Sequence, residues 1–146
     1  MPCRAVRRIK RHLLRRGVFL LIIGIGETAW GAGMALDPPS TQGLQVLTHW
    51  CSLAHWAWLW IIPGLTAIGA AFLQVGRDWA GFVAAYAPPA VWAVAYAAAA
   101  VSGDYSRGGF VAVWYLTIVG VIMWAASVPE YSVPPAPRRP KKGKGS

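Results

Sequence analysis

The apolar positions of this chain do not alternate with polar ones. They run in four long blocks, at 17–36, about 53–75, 79–101 and 109–128, separated by short polar stretches. A helix rising about 1.5 Å per residue needs about 20 residues to cross roughly 30 Å of hydrocarbon, so each block is long enough to span a bilayer. Hydrocarbon offers the backbone no water to bond, so each block is expected to form an α-helix, which satisfies its own amides. The period-2 alternation of a membrane β-barrel is absent. The expected fold is all-α: a polytopic membrane protein with four transmembrane helices and short loops.

The polar punctuation agrees with this division. Asp37-Pro38-Pro39 closes the first block and Pro129 the fourth. Gly76-Arg77-Asp78 reads as a tight turn, with Asp78 placed to cap the helix after it, so the second and third spans should form an antiparallel hairpin. Residues 102–108 make a short polar loop. The longest connection, 37–52, starts polar and turns aromatic near Trp50.

Composition sharpens the picture. Apolar residues make up 56% of the chain and charged ones 13%, where a soluble domain carries about a quarter. The charges also sit at the ends. Seven basic residues open the chain (Arg4, Arg7, Arg8, Lys10, Arg11, Arg15 and Arg16) and five lie near its close (Arg138, Arg139, Lys141, Lys142 and Lys144). Between Gly17 and Val128 the charged residues are Glu27, Asp37, Arg77, Asp78, Asp104 and Arg107. A net charge of +9 on its own suggests nucleic acid. Basic residues flanking long apolar runs instead set membrane orientation, and no aromatic residues interleave with them for base stacking, so no nucleic-acid partner is expected. Placing both termini in the cytoplasm puts 13 of the 14 basic residues inside and leaves Arg107 outside. Three regions follow: a basic cytoplasmic arm at 1–16, a four-helix transmembrane domain at 17–128, and a Pro/Lys/Arg-rich tail at 129–146, expected to be disordered. The twelve basic residues of arm and tail are expected to face lipid as anchors. Each contributes about 1 kcal/mol of attraction to an anionic inner leaflet. A secretory or twin-arginine signal also begins with basic residues before an apolar run. Here the run reaches Leu36 and three more follow, so an uncleaved first span is expected.

Nine Trp residues are many for 146. Trp50, Trp56, Trp58, Trp60, Tyr105, Trp114 and Tyr115 fall near the outer face, and Trp79, Trp124 and Tyr131 near the inner one, as an interfacial aromatic belt predicts.

Few residues carry chemistry. Glu27 lies near the middle of the first span, where a charged side chain costs on the order of 2.5–3.5 kcal/mol and normally faces a bundle interior or a wet cavity. Gly24 and Gly31 share its helix face. With Thr28 and Ala35 they form a groove of small residues in which another helix can approach closely. Two roles compete. Glu27 either binds a cation or proton, or is a neutral acid hydrogen-bonded to Tyr86, Tyr96, Thr66 or Thr117. No second charge accompanies it inside the membrane, which favours the structural role. Pro88 and Pro89 in the third span, and Pro63 in the second, withhold backbone donors and should kink their helices. His49, Cys51 and His55 are metal-ligand types, but their spacing fits no standard site and no metal or other cofactor is expected. Cys3 and Cys51 fall on opposite sides of the membrane and cannot pair within the chain. Nucleophile elbow, phosphate loop, zinc-protease helix and carboxylate pair are all missing, so the chain is not expected to be an enzyme.

Ten of the fourteen basic residues are Arg, and Ala and Gly abound, a usage typical of high-GC genomes. Arg15-Arg16-Gly17-Val18-Phe19-Leu20-Leu21 opens the first span and Trp58-Leu59-Trp60-Ile61 lies in the second. Asp78-Trp79-Ala80-Gly81-Phe82 opens the third, Pro88-Pro89-Ala90-Val91-Trp92 lies within it, and Pro129-Glu130 closes the fourth. In these features, over nearly its whole length, the chain resembles the small four-span membrane proteins encoded by phages and prophages of actinobacteria. The resemblance implies a setting, a bacterial inner membrane or a phage host's, more than an activity. Three roles are compatible with it: a non-enzymatic membrane component that assembles with itself or with other membrane proteins, a holin-like permeabiliser acting in lysis, and a small carrier or channel working through Glu27.

Overall fold

The computed structural model describes residues 15–74 and 76–128. All regular structure among them is helical. The elements are α1 (Arg15–Leu36), two short pieces α2 (Gln45–Thr48) and α3 (Leu53–Trp56), then α4 (Trp58–Ala70), α5 (Trp79–Ser102) and α6 (Gly108–Ser127). The short α3 runs on into α4 through Ala57, so Leu53–Ala70 acts as one membrane-length helix beside α1, α5 and α6. The protein is thus a multi-pass bundle of four apolar helices. Three of the four expected spans fall within two residues of their predicted ends. The second is shorter than the expected 53–75: α4 stops at Ala70, and Phe72 and Leu73 turn back on Gly69 and Ala70 carbonyls.

Neighbours in sequence are neighbours in space. α1 packs mainly on α4, α4 on α5 and α5 on α6, while α1 and α6 touch little. Packing is thus strongest between consecutive antiparallel helices, and α1 reaches α6 at one end only, where Leu20 shares a core with Ile122 and Ala125. Most of each helix faces outward, and that outer surface is apolar: Ile22, Ile25, Ile62, Leu65, Val94, Val113 and Leu116 are all more than half exposed. Water would not hold such a surface on a monomer.

Because apolar residues cover every face, polarity does not mark the buried side. On α1 the buried stripe is Leu20, Gly24, Glu27, Gly31 and Met34, a 4-3-4-3 spacing. The facing stripe on α4 is Trp60, Gly64 and Ala67, continued by Ala57. This 3.5-residue period is that of helix pairs packed side by side at a shallow angle.

Two cores fill the bundle. At one end Leu20, Ala67, Ala70, Ala71, Phe82, Ala85, Ile122 and Ala125 pack together. At the other, Met34, Leu44, Leu47, Leu53, Ala57, Trp60, Trp92 and Ala95 form a bulkier, aromatic core. The loop after α1 supplies Leu44 and Leu47 to it, a contribution its polar start does not advertise. Gly43 makes this entry possible. Its φ is +80°, and a Cβ there would lie 2.7 Å from the Tyr96 ring and 2.8 Å from Tyr105.

None of the three helical prolines ends its helix: Pro63 lies inside α4, and Pro88 and Pro89 inside α5. Both α5 prolines are fully buried.

Candidate functional site: a carboxyl in the α1–α4 seam

Gly24 and Gly31 bring α1 and α4 to backbone contact. A Cβ on Gly24 would sit 2.6 Å from the Gly64 carbonyl oxygen, and one on Gly31 2.9 Å from that of Ala57. From the other side, a Cβ on Gly64 would meet the Thr28 nitrogen at 2.7 Å. Three of the four small residues expected at this seam are therefore there. Ala35 is the exception and is exposed. It falls one position past Met34, the end of the 4-3-4-3 stripe, so it turns away from α4.

Glu27 sits between the two glycine contacts and between the two cores. It is 3% exposed. At 1.5 Å per residue it lies about 16 Å along the helix from Arg16 and about 13 Å from Leu36, near the middle of the span. Neither of its carboxyl oxygens has a hydrogen-bond partner. The hydroxyls expected to serve it do not. Thr28 Oγ1 donates to the Gly24 carbonyl at 2.8 Å, Thr66 to Ile62 at 2.8 Å and Thr117 to Val113 at 2.9 Å. Each has turned back to its own helix, the usual outcome for Thr in an apolar medium. Tyr86 is exposed, and Tyr96 packs its ring on Tyr105 and Tyr115.

A second group in the same seam is also orphaned. The indole nitrogen of Trp60 is buried without a partner, and the Trp60 Cβ would be 2.8 Å from a Cβ on Gly31, one turn from Glu27. Trp60 belongs to a chain of rings that the belt expectation missed. It meets Trp92 at 5.2 Å between centroids, Trp30 at 6.4 Å and Tyr115 at 6.3 Å. Trp56 joins through Trp92, and its Nε1 donates to the Leu47 carbonyl at 3.0 Å. Trp56 and Trp60 thus pack inward, whereas Trp50, Trp58, Trp79, Trp114 and Trp124 remain outward, as interfacial residues do.

The other buried acid behaves differently. Asp78, 4% exposed, was expected to cap α5 but makes no capping bond. One carboxylate oxygen takes Arg16 Nε at 3.0 Å and the other accepts from the Gly76 amide at 3.1 Å. Arg16 also donates to the Val128 carbonyl at 3.3 Å, and its guanidinium lies 4.9 Å from the centre of the Phe82 ring. It was expected to face lipid. Instead it is drawn inward and ties the start of α1 to the α4–α5 turn and to the end of α6. Arg15 alone of the expected anchors is described and exposed; Arg4, Arg7, Arg8, Lys10, Arg11, Arg138, Arg139, Lys141, Lys142 and Lys144 lie outside the described residues.

Compared with protein-family models, with curated proteins and with solved structures, the chain matches none.

At the metal-ligand types near α3, His49 stacks edge-to-face on Trp50, and His55 Nδ1 shares a 2.7 Å hydrogen bond with Ser52 Oγ.

Proposed function

We propose that this chain is a small, non-enzymatic carrier of a bacterial inner membrane, phage- or prophage-borne, in which Glu27 takes up and releases a proton. One contrast supports the reading. Two acids are buried in the described bundle. Asp78, at the end of the helices, has an arginine and an amide; Glu27, at their middle, has no partner. Buried polar groups are hydrogen-bonded in the great majority of cases, so an orphan calls for a specific reason. Ionisable residues at mid-membrane commonly mark ion or proton pathways. The backbone contacts at Gly24 and Gly31 close the seam on either side of Glu27 and leave no room there for a hydrated ion. A proton needs no such room. Release then requires α1 and α4 to part, and at Gly24 and Gly31 the α1 side of the seam has no side chain of its own to withdraw.

The test is reconstitution into phosphatidylglycerol-containing liposomes with a trapped pH-sensitive dye and an imposed pH gradient. The wild-type protein should dissipate the gradient, Glu27→Gln should not, and Glu27→Asp should retain part of the rate. Equal rates for wild type and Glu27→Gln would remove Glu27 from the mechanism. Loss of a large co-trapped dye with either protein would instead favour holin-like permeabilisation.

A further inference from the structure

Between the start of α1 and the end of α6, where the two helices otherwise barely meet, lies a groove of about 340 Å³ lined by Arg15, Arg16, Phe19, Trp124, Ala125 and Val128. It sets two basic side chains beside aromatic and aliphatic ones, whereas the outward faces of the helices are largely apolar. The geometry points to a binding site for one anionic phospholipid, its phosphate against Arg15 and the first part of its acyl chain against Phe19 and Trp124.

Four observations carry this. The first is charge. Arg15 is exposed and makes no ion pair with any described residue. Arg16, committed to Asp78 and Val128, adds positive potential behind it without leaving its post. Basic pockets between transmembrane helices are the usual seats of anionic headgroups. The second is the wall. Trp124 is 69% exposed, at the level where an indole bridges headgroup and chain. Phe19, stacked on Phe82 at 6.1 Å, presents a fixed apolar floor below it. The third is depth. The groove lies at the end of two membrane-length helices, so its polar part meets the headgroup layer and its apolar part the hydrocarbon. A free phosphate would meet only the first of these. The fourth is position. α1 and α6 touch little beyond the Arg16–Val128 bond and the core shared by Leu20, Ile122 and Ala125, and the groove opens between them. The inference stands whether or not Glu27 carries a proton.

The full-length protein in nanodiscs of mixed phosphatidylglycerol and phosphatidylcholine, released and weighed by native mass spectrometry, tests it. Wild type should retain one phosphatidylglycerol in preference to phosphatidylcholine. Arg15→Gln should weaken that retention about five-fold, the value of one basic residue near an anionic headgroup. Trp124→Ala should lower retention of both lipids, and Arg107→Gln, at the other end of the bundle, should change nothing. Soluble glycerol phosphate in excess should not displace the lipid; displacement would mean a phosphate site and not a lipid site. Equal retention of the two lipids by wild type, or unchanged preference in Arg15→Gln, overturns the assignment. Arg15 is exposed and Arg16 is untouched, so the variants keep the fold.

Discussion

Adding a single methyl group at two positions of α1 should have opposite results. At Gly24 a Cβ would lie 2.6 Å from the Gly64 carbonyl oxygen, 2.9 Å from Ile68 Cγ1 and 3.0 Å from the Ile68 nitrogen. Two of these are backbone atoms, which cannot swing aside. To reach an ordinary carbon–oxygen contact the helices must separate by roughly 0.5–1 Å, a gap that forfeits a quarter to a half of each dispersion contact along the seam. Overpacking of this kind costs about 1–3 kcal/mol. In lipid no hydrophobic effect between helices makes up the loss, since tails and leucines are equally apolar. At Gly26, two residues on, a Cβ meets nothing within 4 Å, and removing an interior helical glycine gains up to about 1 kcal/mol. Reversible unfolding from mixed micelles by increasing SDS, followed by Trp fluorescence, measures both. Gly24→Ala should lose about 1–3 kcal/mol and Gly26→Ala should lose none. Equal effects would show that α1 and α4 are not in backbone contact.

Three further outcomes follow from the same geometry. Gly64→Ala, approaching the seam from α4, should destabilise as Gly24→Ala does, and the double variant should cost less than the two added, because one separation relieves both clashes; strict additivity would contradict this. Asp78→Ala should cost up to about 3 kcal/mol by leaving the partly buried Arg16 without its acid, and Arg16→Met together with Asp78→Leu should recover much of it in the same SDS titration. Gly43→Ala should destabilise by about 1–2 kcal/mol from its left-handed backbone alone, with Tyr96 and Tyr105 blocking the new methyl besides; wild-type stability in this variant would mean that the loop does not enter the aromatic core.

The sequence revealed the spans and concealed the packing, for one physical reason. The length of an apolar run is a one-dimensional quantity, so α1, α5 and α6 could be bounded to within two residues. Which face is buried is normally read from alternating polarity, and a helix in lipid has none. What remains is side-chain size. Gly24 and Gly31 were legible on that basis because they flank Glu27 at helical spacing. Their partner Gly64 was not, because it follows Pro63 and reads as part of a kink. Trp60 lay in the same small-residue stripe, with Ala57, Gly64 and Ala67, but its type suggested the interface. The Arg16–Asp78 pair joins residues 62 apart and becomes visible only once the starts of α1 and α5 share an end. Glu27 itself stood out as a mid-span acid. That every nearby threonine would spend its hydroxyl on its own helix depended on where each side chain faced.

A carbodiimide soluble only in the lipid phase adds to carboxyl groups that carry a proton within the membrane and are free to react. Treatment of the protein in bilayers, followed by peptide mass mapping, should give one adduct, at Glu27, lost in Glu27→Gln and absent from Asp78. No adduct at Glu27, or equal labelling of Asp78, would contradict the claim that a single unpartnered acid occupies the middle of this bundle.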